Sequence, residues 1–293
     1  MTTRGGERVR QLMGSGDRGA WINAAIALAL DNSRPEAQRL AAADLLRSLD
    51  VDVDTDLGEL DRGRVAAQAA APLLQTAAVV GGEGELWEGQ SDEALLAQGR
   101  ASAQGAAAMV QFGLPMLGGL AEALAQPGAM MLDVGTGVAA MAVAYAELFP
   151  QLTVVGLDVL PRALALAAAT VTASAVADRV VLREQDVATL DEEATYALTW
   201  LPAPFLPEVA LRAAIPRVAR AMAPGGWVMV GHGKFAESPS ENAITRFKTV
   251  IYGGTALDDE QAQQLLREAG LQNVTTTPTP RGGPAITVGR KAS

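Results

Sequence analysis

The sequence predicts an all-helical N-terminal region followed by an α/β domain with a mostly parallel sheet. Three observations carry this expectation. From Leu114 onward, short β-rich runs alternate with helical stretches, the rhythm of βαβ units. The first such run ends in a glycine-rich turn, Gly135-Thr136-Gly137, of the kind that lets the backbone bend sharply and approach a ligand. The chain closes with two β-rich runs around Pro280-Arg281-Gly282-Gly283-Pro284, which reads as a hairpin. The expected division is residues 1–113 helical and 114–293 α/β.

In chain order, residues 19–49 read as two helices. Trp21, Ile22, Ala25, Ile26, Leu28 and Ala29 form one apolar face at helical spacing, and Pro35 opens the next segment. Leu40, Ala43, Leu45, Leu46 and Leu49 are expected to bury in that second segment. Helices follow at 62–80 and 91–108, separated by the loop Gly81-Gly82-Glu83-Gly84-Glu85. Only Val51 and Val53 hint at strand alternation in this half. The second half then predicts strands at 130–134, 152–158, 179–184, 194–200 and 226–231. Helices at 138–149, 161–176 and 207–223 alternate with them, and the hairpin is expected from strands 271–278 and 285–290. A ligand should sit beyond the carboxyl ends of the parallel strands.

Composition limits what the ligand and partners can be. The chain has 293 residues, with 23 basic against 33 acidic side chains and a net charge of −10. Only Lys234, Lys248 and Lys291 are lysines, so nucleic acid and anionic membranes are disfavoured as partners. Cysteine is absent, which removes disulfides, thiolate nucleophiles and cysteine metal sites. The first residues show no apolar core of a signal peptide, no membrane span is expected, and the expected setting is cytoplasmic.

Three carboxylates follow strands in the ligand crevice. Asp133 stands two residues before Gly135, where it would repel a dinucleotide's pyrophosphate. S-adenosylmethionine has no phosphate and carries an ammonium and a sulfonium, so Asp133-x-Gly135-x-Gly137 favours a methyl donor over NAD. Asp158 ends the second strand, with Val159 beside it, and is suited to accept ribose hydroxyls. As a helix cap ahead of Pro161 it would sit too early. Asp186, in Gln185-Asp186-Val187, is suited to accept the adenine amine with Val187 against the ring; the plainer alternative is a solvated turn aspartate.

In this order the residues resemble the class I S-adenosylmethionine-dependent methyltransferases over residues 114–293. The Leu132-Asp133-Val134-Gly135-Thr136-Gly137 turn, Asp158, Gln185-Asp186, the Ala223-Pro224-Gly225-Gly226-Trp227 turn and the terminal hairpin carry the resemblance. It implies a Rossmann-like, seven-stranded sheet with an antiparallel last strand, and S-adenosylmethionine as cofactor. The backbone around Gly135, Thr136 and Gly137 would hold the methionine part, with Asp133 near its amino group. After the fourth strand comes Trp200-Leu201-Pro202-Ala203-Pro204-Phe205, without the Asn/Asp-Pro-Pro-Tyr/Phe motif of amide-nitrogen methyltransferases. The resemblance thus disfavours DNA-amine and protein-amide acceptors.

The acceptor side is read from fewer signals. Trp200 stacks near the cofactor, walls the acceptor pocket, or packs in the core; the stiff prolines suit a wall, with Leu201 and Phe205 as neighbours. His232, the only histidine, is expected at the end of the fifth strand, where flanking glycines make it a candidate base or substrate contact. Trp87 lies in residues 81–89, which have the make-up of a lid or of an ordinary surface loop. Residues 50–61 place acids like a calcium loop, but Thr55 occupies the glycine position and Asp61 the final glutamate, so a solvated connector is expected and no metal. The expected activity is methylation of a small, largely apolar molecule, O-methylation ahead of N or C. An NAD-linked oxidoreductase and a cofactor-binding regulator without turnover are the alternatives. A homodimer through the N-terminal helices is also expected, because their apolar faces exceed what one sheet covers.

Overall fold

The structure is a computed structural model that describes residues 4–57, 62–81, 87–235, 238–251, 253–277 and 284–293. The chain divides into two compact units: residues 1–83 with 90–101, and residues 84–89 with 102–293. The division expected at residue 113 therefore falls inside the second unit. Ala106, Met109, Leu114 and Leu117 pack against the sheet's core and draw the end of the fourth helix into that unit.

In the first unit, α1 (Arg4–Leu30) packs on α2 (Glu36–Arg47) and α3 (Arg62–Gly81), with the first part of α4 (Asp92–Ala108) completing it. Its core is small: Ala25, Ala29, Leu30, Ala42, Leu46 and Val53. Helix α2 buries only the one-turn pair Ala42 and Leu46. Leu40 and Leu45, expected inside, are exposed. Residues 53–57 form a turn rather than a strand, and Asp52 and Asp56 accept hydrogen bonds from backbone N–H groups of this connector. Arg62 pairs with Asp54; the last four positions of the calcium-like stretch lie outside the described residues.

The second unit holds a seven-stranded sheet in the order β3-β2-β1-β4-β5-β7-β6. Its strands are β1 (Met130–Val134), β2 (Thr153–Asp158), β3 (Val180–Glu184), β4 (Tyr196–Pro202), β5 (Met222–His232), β6 (Gln272–Thr277) and β7 (Ala285–Arg290). The pairs among β1 to β5 are parallel, whereas β7 runs antiparallel between β5 and β6. Helices α5 (Leu120–Leu124), α6 (Ala140–Leu148) and α7 (Pro161–Thr172) cover one face. Helix α8 (Glu208–Ala221) covers the other; α9 (Pro239–Ile251) follows β5, and α10 (Asp259–Glu268) joins α8 on its face.

Strand periodicity sorts every residue of the site between these faces. Met131, Val154, Leu198 and Met229 enter the α6 side, while Leu132, Val155, Leu201, Val228 and Val230 enter the α8 side. Asp133, Gly156, Asp158, Trp200 and Gly231 share the α6-side parity, and His232 takes the other. Helices α9 and α10 were not among the expected elements. Their sequences are polar, and the one local signal is the capping box at Asp258 and Gln261, where each side chain bonds the other's backbone N–H.

Candidate functional site

At the carboxyl end of β1 the chain makes a turn in which Gly135, Gly137 and Ala139 all have positive φ, of 64°, 57° and 59°. The turn delays the helix, so α6 starts at Ala140 rather than near Val138. No atom lies within 4 Å of where a Cβ on Gly137 would stand, and only Pro202 Cγ, at 3.7 Å, approaches that position on Gly135. The turn is therefore open to a ligand on this side.

Its N–H groups are mostly spent inside the protein. Thr136 N–H bonds Leu157 O at 2.9 Å, Ala139 N–H bonds Thr136 O at 2.9 Å, and Gly137 N–H bonds Asp158 Oδ2 at 2.8 Å. Asp158 Oδ1 accepts Leu160 N–H at 2.9 Å, closing the bend before α7. A phosphate needs free donors at such a turn, and here a carboxylate already occupies the Gly137 donor. The dinucleotide alternative loses its anchoring point.

Asp133 is buried, and its Oδ2 accepts the Thr136 hydroxyl at 2.8 Å. Its Oδ1 has no hydrogen-bond partner among the described residues. Burial pushes the carboxyl up to about 7; the Thr136 hydrogen bond pulls the other way and the Asp158 charge adds to the rise. Gly156, the register partner of Asp133 on β2, explains how Thr136 fits. A Cβ there would come 2.7 Å from Thr136 Oγ1. The glycine inside Val154-Val155-Gly156-Leu157-Asp158 is the sequence signal of this close approach.

The other expected residues divide. Val159 follows Asp158 with its side chain 59% exposed, an apolar surface at a strand end. Asp186 caps the turn 187–189 by accepting Ala188 N–H at 2.8 Å, while Gln185 N–H bonds Asp158 O at 3.0 Å and so joins the two strand ends. Val187 is buried in the α8-side core. Trp200 is the register partner of Asp133 on β4, and its ring lies over Gly231, where a Cβ would stand 2.5 Å from Cη2. Phe205 meets Trp87 edge to face, with ring centroids 5.0 Å apart. Residues 82–86 of the lid-like segment lie outside the described residues.

Two expectations do not hold in place. Leu201 is fully buried under α8, because its neighbour Trp200 takes the crevice side and strand residues alternate. His232 does end β5, but its side chain is fully buried on the face opposite Asp133. Its Nε2 meets Thr287 Oγ1 at 2.8 Å and its Nδ1 meets Gly233 O at 3.1 Å. Thr287 continues to Thr276 at 2.8 Å, to which Gln263 of α10 donates at 3.0 Å. Burial holds the imidazole below its usual pKa, so it is a neutral member of a satisfied chain. Among the described residues, no helix is long and apolar enough to cross a membrane.

Comparison with known proteins agrees with this geometry. Residues 131–226 match the family model of a methyltransferase domain. The fold is shared with an O-methyltransferase family protein from Burkholderia thailandensis, 17% identical with a TM-score of 0.60, covering 100% of this chain and 99% of that one. A mitomycin 7-O-methyltransferase is 18% identical with a TM-score of 0.61, over 98% and 97% of the two chains. Human N-acetylserotonin methyltransferase, solved with S-adenosylmethionine, is 15% identical with a TM-score of 0.59, over 100% and 99%. A comparison with curated proteins returns no sequence match. Residues 131–226 thus match a methyltransferase domain, on a fold shared with methyltransferases, one of them solved with S-adenosylmethionine.

The residues fit that cofactor. The crevice presents acceptors, Asp133 Oδ1 and the Asp158 carboxylate, beside an open glycine turn whose donors are largely committed. Such a donor set suits a cation with hydroxyl groups and not a phosphate.

Proposed function

We propose that the protein methylates a small, largely apolar molecule, with oxygen favoured over nitrogen or carbon as the acceptor atom. The observation that carries the reading is the buried Asp133 carboxylate, one oxygen unpartnered, beside the open turn at Gly137. A buried anion of this kind is costly unless a cation meets it. Asp133 would hold the ammonium and Asp158 the ribose hydroxyls. Val159, Gln185 and Asp186 would border the adenine, while Val187 stays in the core beneath them, and Thr136 keeps Asp133 oriented. S-adenosylmethionine would supply a sulfonium-bound methyl group for attack by an acceptor's lone pair, with S-adenosylhomocysteine leaving as the thioether and a hydroxyl acceptor's proton passing to solvent.

Trp200, pinned over Gly231, and the Phe205–Trp87 pair supply an apolar wall suited to such an acceptor. The loop bearing Phe205 is clasped by the segment before α10: Thr255 N–H bonds Ala203 O at 2.8 Å and its hydroxyl bonds Leu206 O at 2.7 Å. A fixed wall positions the acceptor, and positioning alone can drive this transfer. His232 has no part in it, since its ring nitrogens are engaged on the other face. The O-methyltransferase and N-acetylserotonin methyltransferase descriptions of the structural neighbours support the small-molecule and oxygen preferences.

Exposed Trp21 and Leu40, 63% and 54% accessible, support a homodimer through the N-terminal helices. Sedimentation would read that mass directly. A cytoplasmic setting fits the cysteine-free chain, which needs no oxidising compartment.

Calorimetry with S-adenosylmethionine tests the central reading. Binding below ~100 μM is expected, within the usual range for enzyme ligands, and its absence would sink the proposal. Incubation with a methyl-labelled donor and a small-molecule extract should then label a low-mass product. Binding without label transfer would instead favour a regulator without turnover.

A further inference from the structure

Helix α9 packs on its own unit by one side. A Cβ on Gly233, next to the end of β5, would stand 2.6 Å from Thr245 Cγ2. Thr249, one turn further on, is buried, with its hydroxyl on Thr245 O at 3.0 Å. At 3.6 residues per turn, the side opposite these threonines carries Ile244, Phe247 and Val250. They are 53%, 67% and 67% exposed, and exposed Ala243 lies among them. Arg246 and Lys248, the chain neighbours of Phe247, fall on the two flanks and are exposed as well. A scattered exposed apolar residue is ordinary, whereas three aligned on one helix face mark a contact surface.

The flanking charges say what that surface meets. The chain has a net charge of −10 and three lysines, yet Lys234 and Lys248 frame this segment with Arg246 between them. The one acid of the helix, Glu241, lies in its first turn. Arg246 stands 4.9 Å over the Phe235 ring, which holds its guanidinium beside the helix. A second α9 is a poor occupant. Pairing two such faces about a two-fold axis, parallel or antiparallel, sets a flanking cation against a flanking cation, and like charges repel. A lipid surface with anionic headgroups takes both flanks at once, while the stripe enters the acyl boundary. The acidic remainder of the chain opposes this only within a Debye length, about 8 Å at physiological salt.

We propose that α9 is an interfacial helix that docks the protein on an anionic lipid surface, with Ile244, Phe247 and Val250 in the acyl boundary and Arg246 and Lys248 at the headgroups. The overall charge disfavours such a surface for the chain as a whole, and α9 is the local exception. The helix lies on the surface without spanning it. Its end leads to the acceptor side. Gly253 N–H bonds Val250 O and Gly254 N–H bonds Thr249 O, both at 3.0 Å, and a Cβ on Gly254 would collide with Pro204 O. A docked α9 therefore sets the Ala203–Leu206 wall beside the lipid, where apolar molecules collect. That link rests on the acceptor-wall reading, whereas the docking does not.

Co-sedimentation of the full chain with vesicles tests the docking. Vesicles of phosphatidylglycerol and phosphatidylcholine in equal parts should bind about tenfold more tightly than phosphatidylcholine alone. Phe247→Asp should weaken binding to the mixed vesicles about thirtyfold, the scale of withdrawing one aromatic side chain from apolar contact. Arg246→Gln combined with Lys248→Gln should weaken it to a similar extent, at about fivefold per cation, and leave phosphatidylcholine binding within twofold. Tm should hold in every variant, because each substituted side chain is already exposed. No binding to the mixed vesicles, or equal binding to both compositions, would overturn the assignment. So would a Phe247→Asp variant with half the mass of the unaltered protein when sedimented without vesicles, since the face then belongs to a second copy. If the unaltered protein binds vesicles but not S-adenosylhomocysteine, the methyl-donor reading fails and the docking stands.

Discussion

Asp133 at the end of β1 and His232 at the end of β5 are both buried ionisable side chains, and their surroundings treat them in opposite ways. His232 belongs to a chain of side-chain hydrogen bonds that runs through Thr287 and Thr276 to Gln263 and ties β5, β7, β6 and α10 together. Every link is protein to protein. Asp133 has one hydroxyl from Thr136 and one unpartnered oxygen beside a glycine turn open to its surroundings. A satisfied buried polar group specifies a fold, and an unsatisfied one implies a ligand. That difference assigns His232 to architecture and Asp133 to binding, although the sequence offers both at strand ends.

The comparison breaks most visibly at His232. Replacing it by alanine leaves a cavity and strips Thr287 of one of its two partners, so His232→Ala should lower stability by ~3 kcal/mol. S-adenosylhomocysteine affinity should stay within twofold, as read by denaturant titration beside calorimetry. A large affinity loss with stability intact would return the histidine to the site. Asp133→Asn should do the reverse. Losing a charged hydrogen bond costs ~2 kcal/mol, about 30-fold in affinity, while Tm should hold or rise because a desolvated charge is gone.

Acidity sharpens the contrast further. With its carboxyl pushed up to about 7, Asp133 is protonated as pH falls below that point, and an ammonium then loses its anion. Affinity should drop about tenfold between pH 8 and 6, a slope that Asp133→Asn should flatten. In the folded chain Asp133 also holds its proton from about pH 4 up to 7, where the unfolded chain has released it. Its contribution to stability therefore declines as pH rises through that window. His232 acts with the opposite sign. Its folded pKa is lowered, so the unfolded chain takes up the proton first, and stability falls as pH drops below 6.5. The smallest effect is expected at Thr136→Val. Removing the hydroxyl that steadies Asp133 should raise its pKa further and weaken S-adenosylhomocysteine about threefold.

The α/β half was legible because each strand is short, apolar and bounded by a turn signal. The runs 130–134 and 285–290 are readable to the residue, and the glycine turn with its acidic neighbours points to the ligand class from sequence alone. Helix α2 shows where such reading stops. Its apolar residues Leu40, Leu45 and Leu46 look alike in sequence, yet of the three only Leu46 is buried, in the cluster with Ala25, Ala29 and Leu30, because a helix presses one narrow stripe into the core.

Local chemistry in the sequence determined the rhythm of strands, the sharp glycine turn, and the carboxylates that follow β1, β2 and β3. Those properties depend on near neighbours along the chain, so composition and spacing suffice. Tertiary structure alone decided which face each side chain enters. One residue of offset sends Trp200 to the crevice and Leu201 beneath α8, Gly231 under the indole and His232 among threonines. Whether a polar atom at a strand end is met depends on residues far away in sequence, here Thr287 for His232 and no described residue for Asp133 Oδ1. Burial turns that distinction into free energy, and only the packed fold supplies the burial.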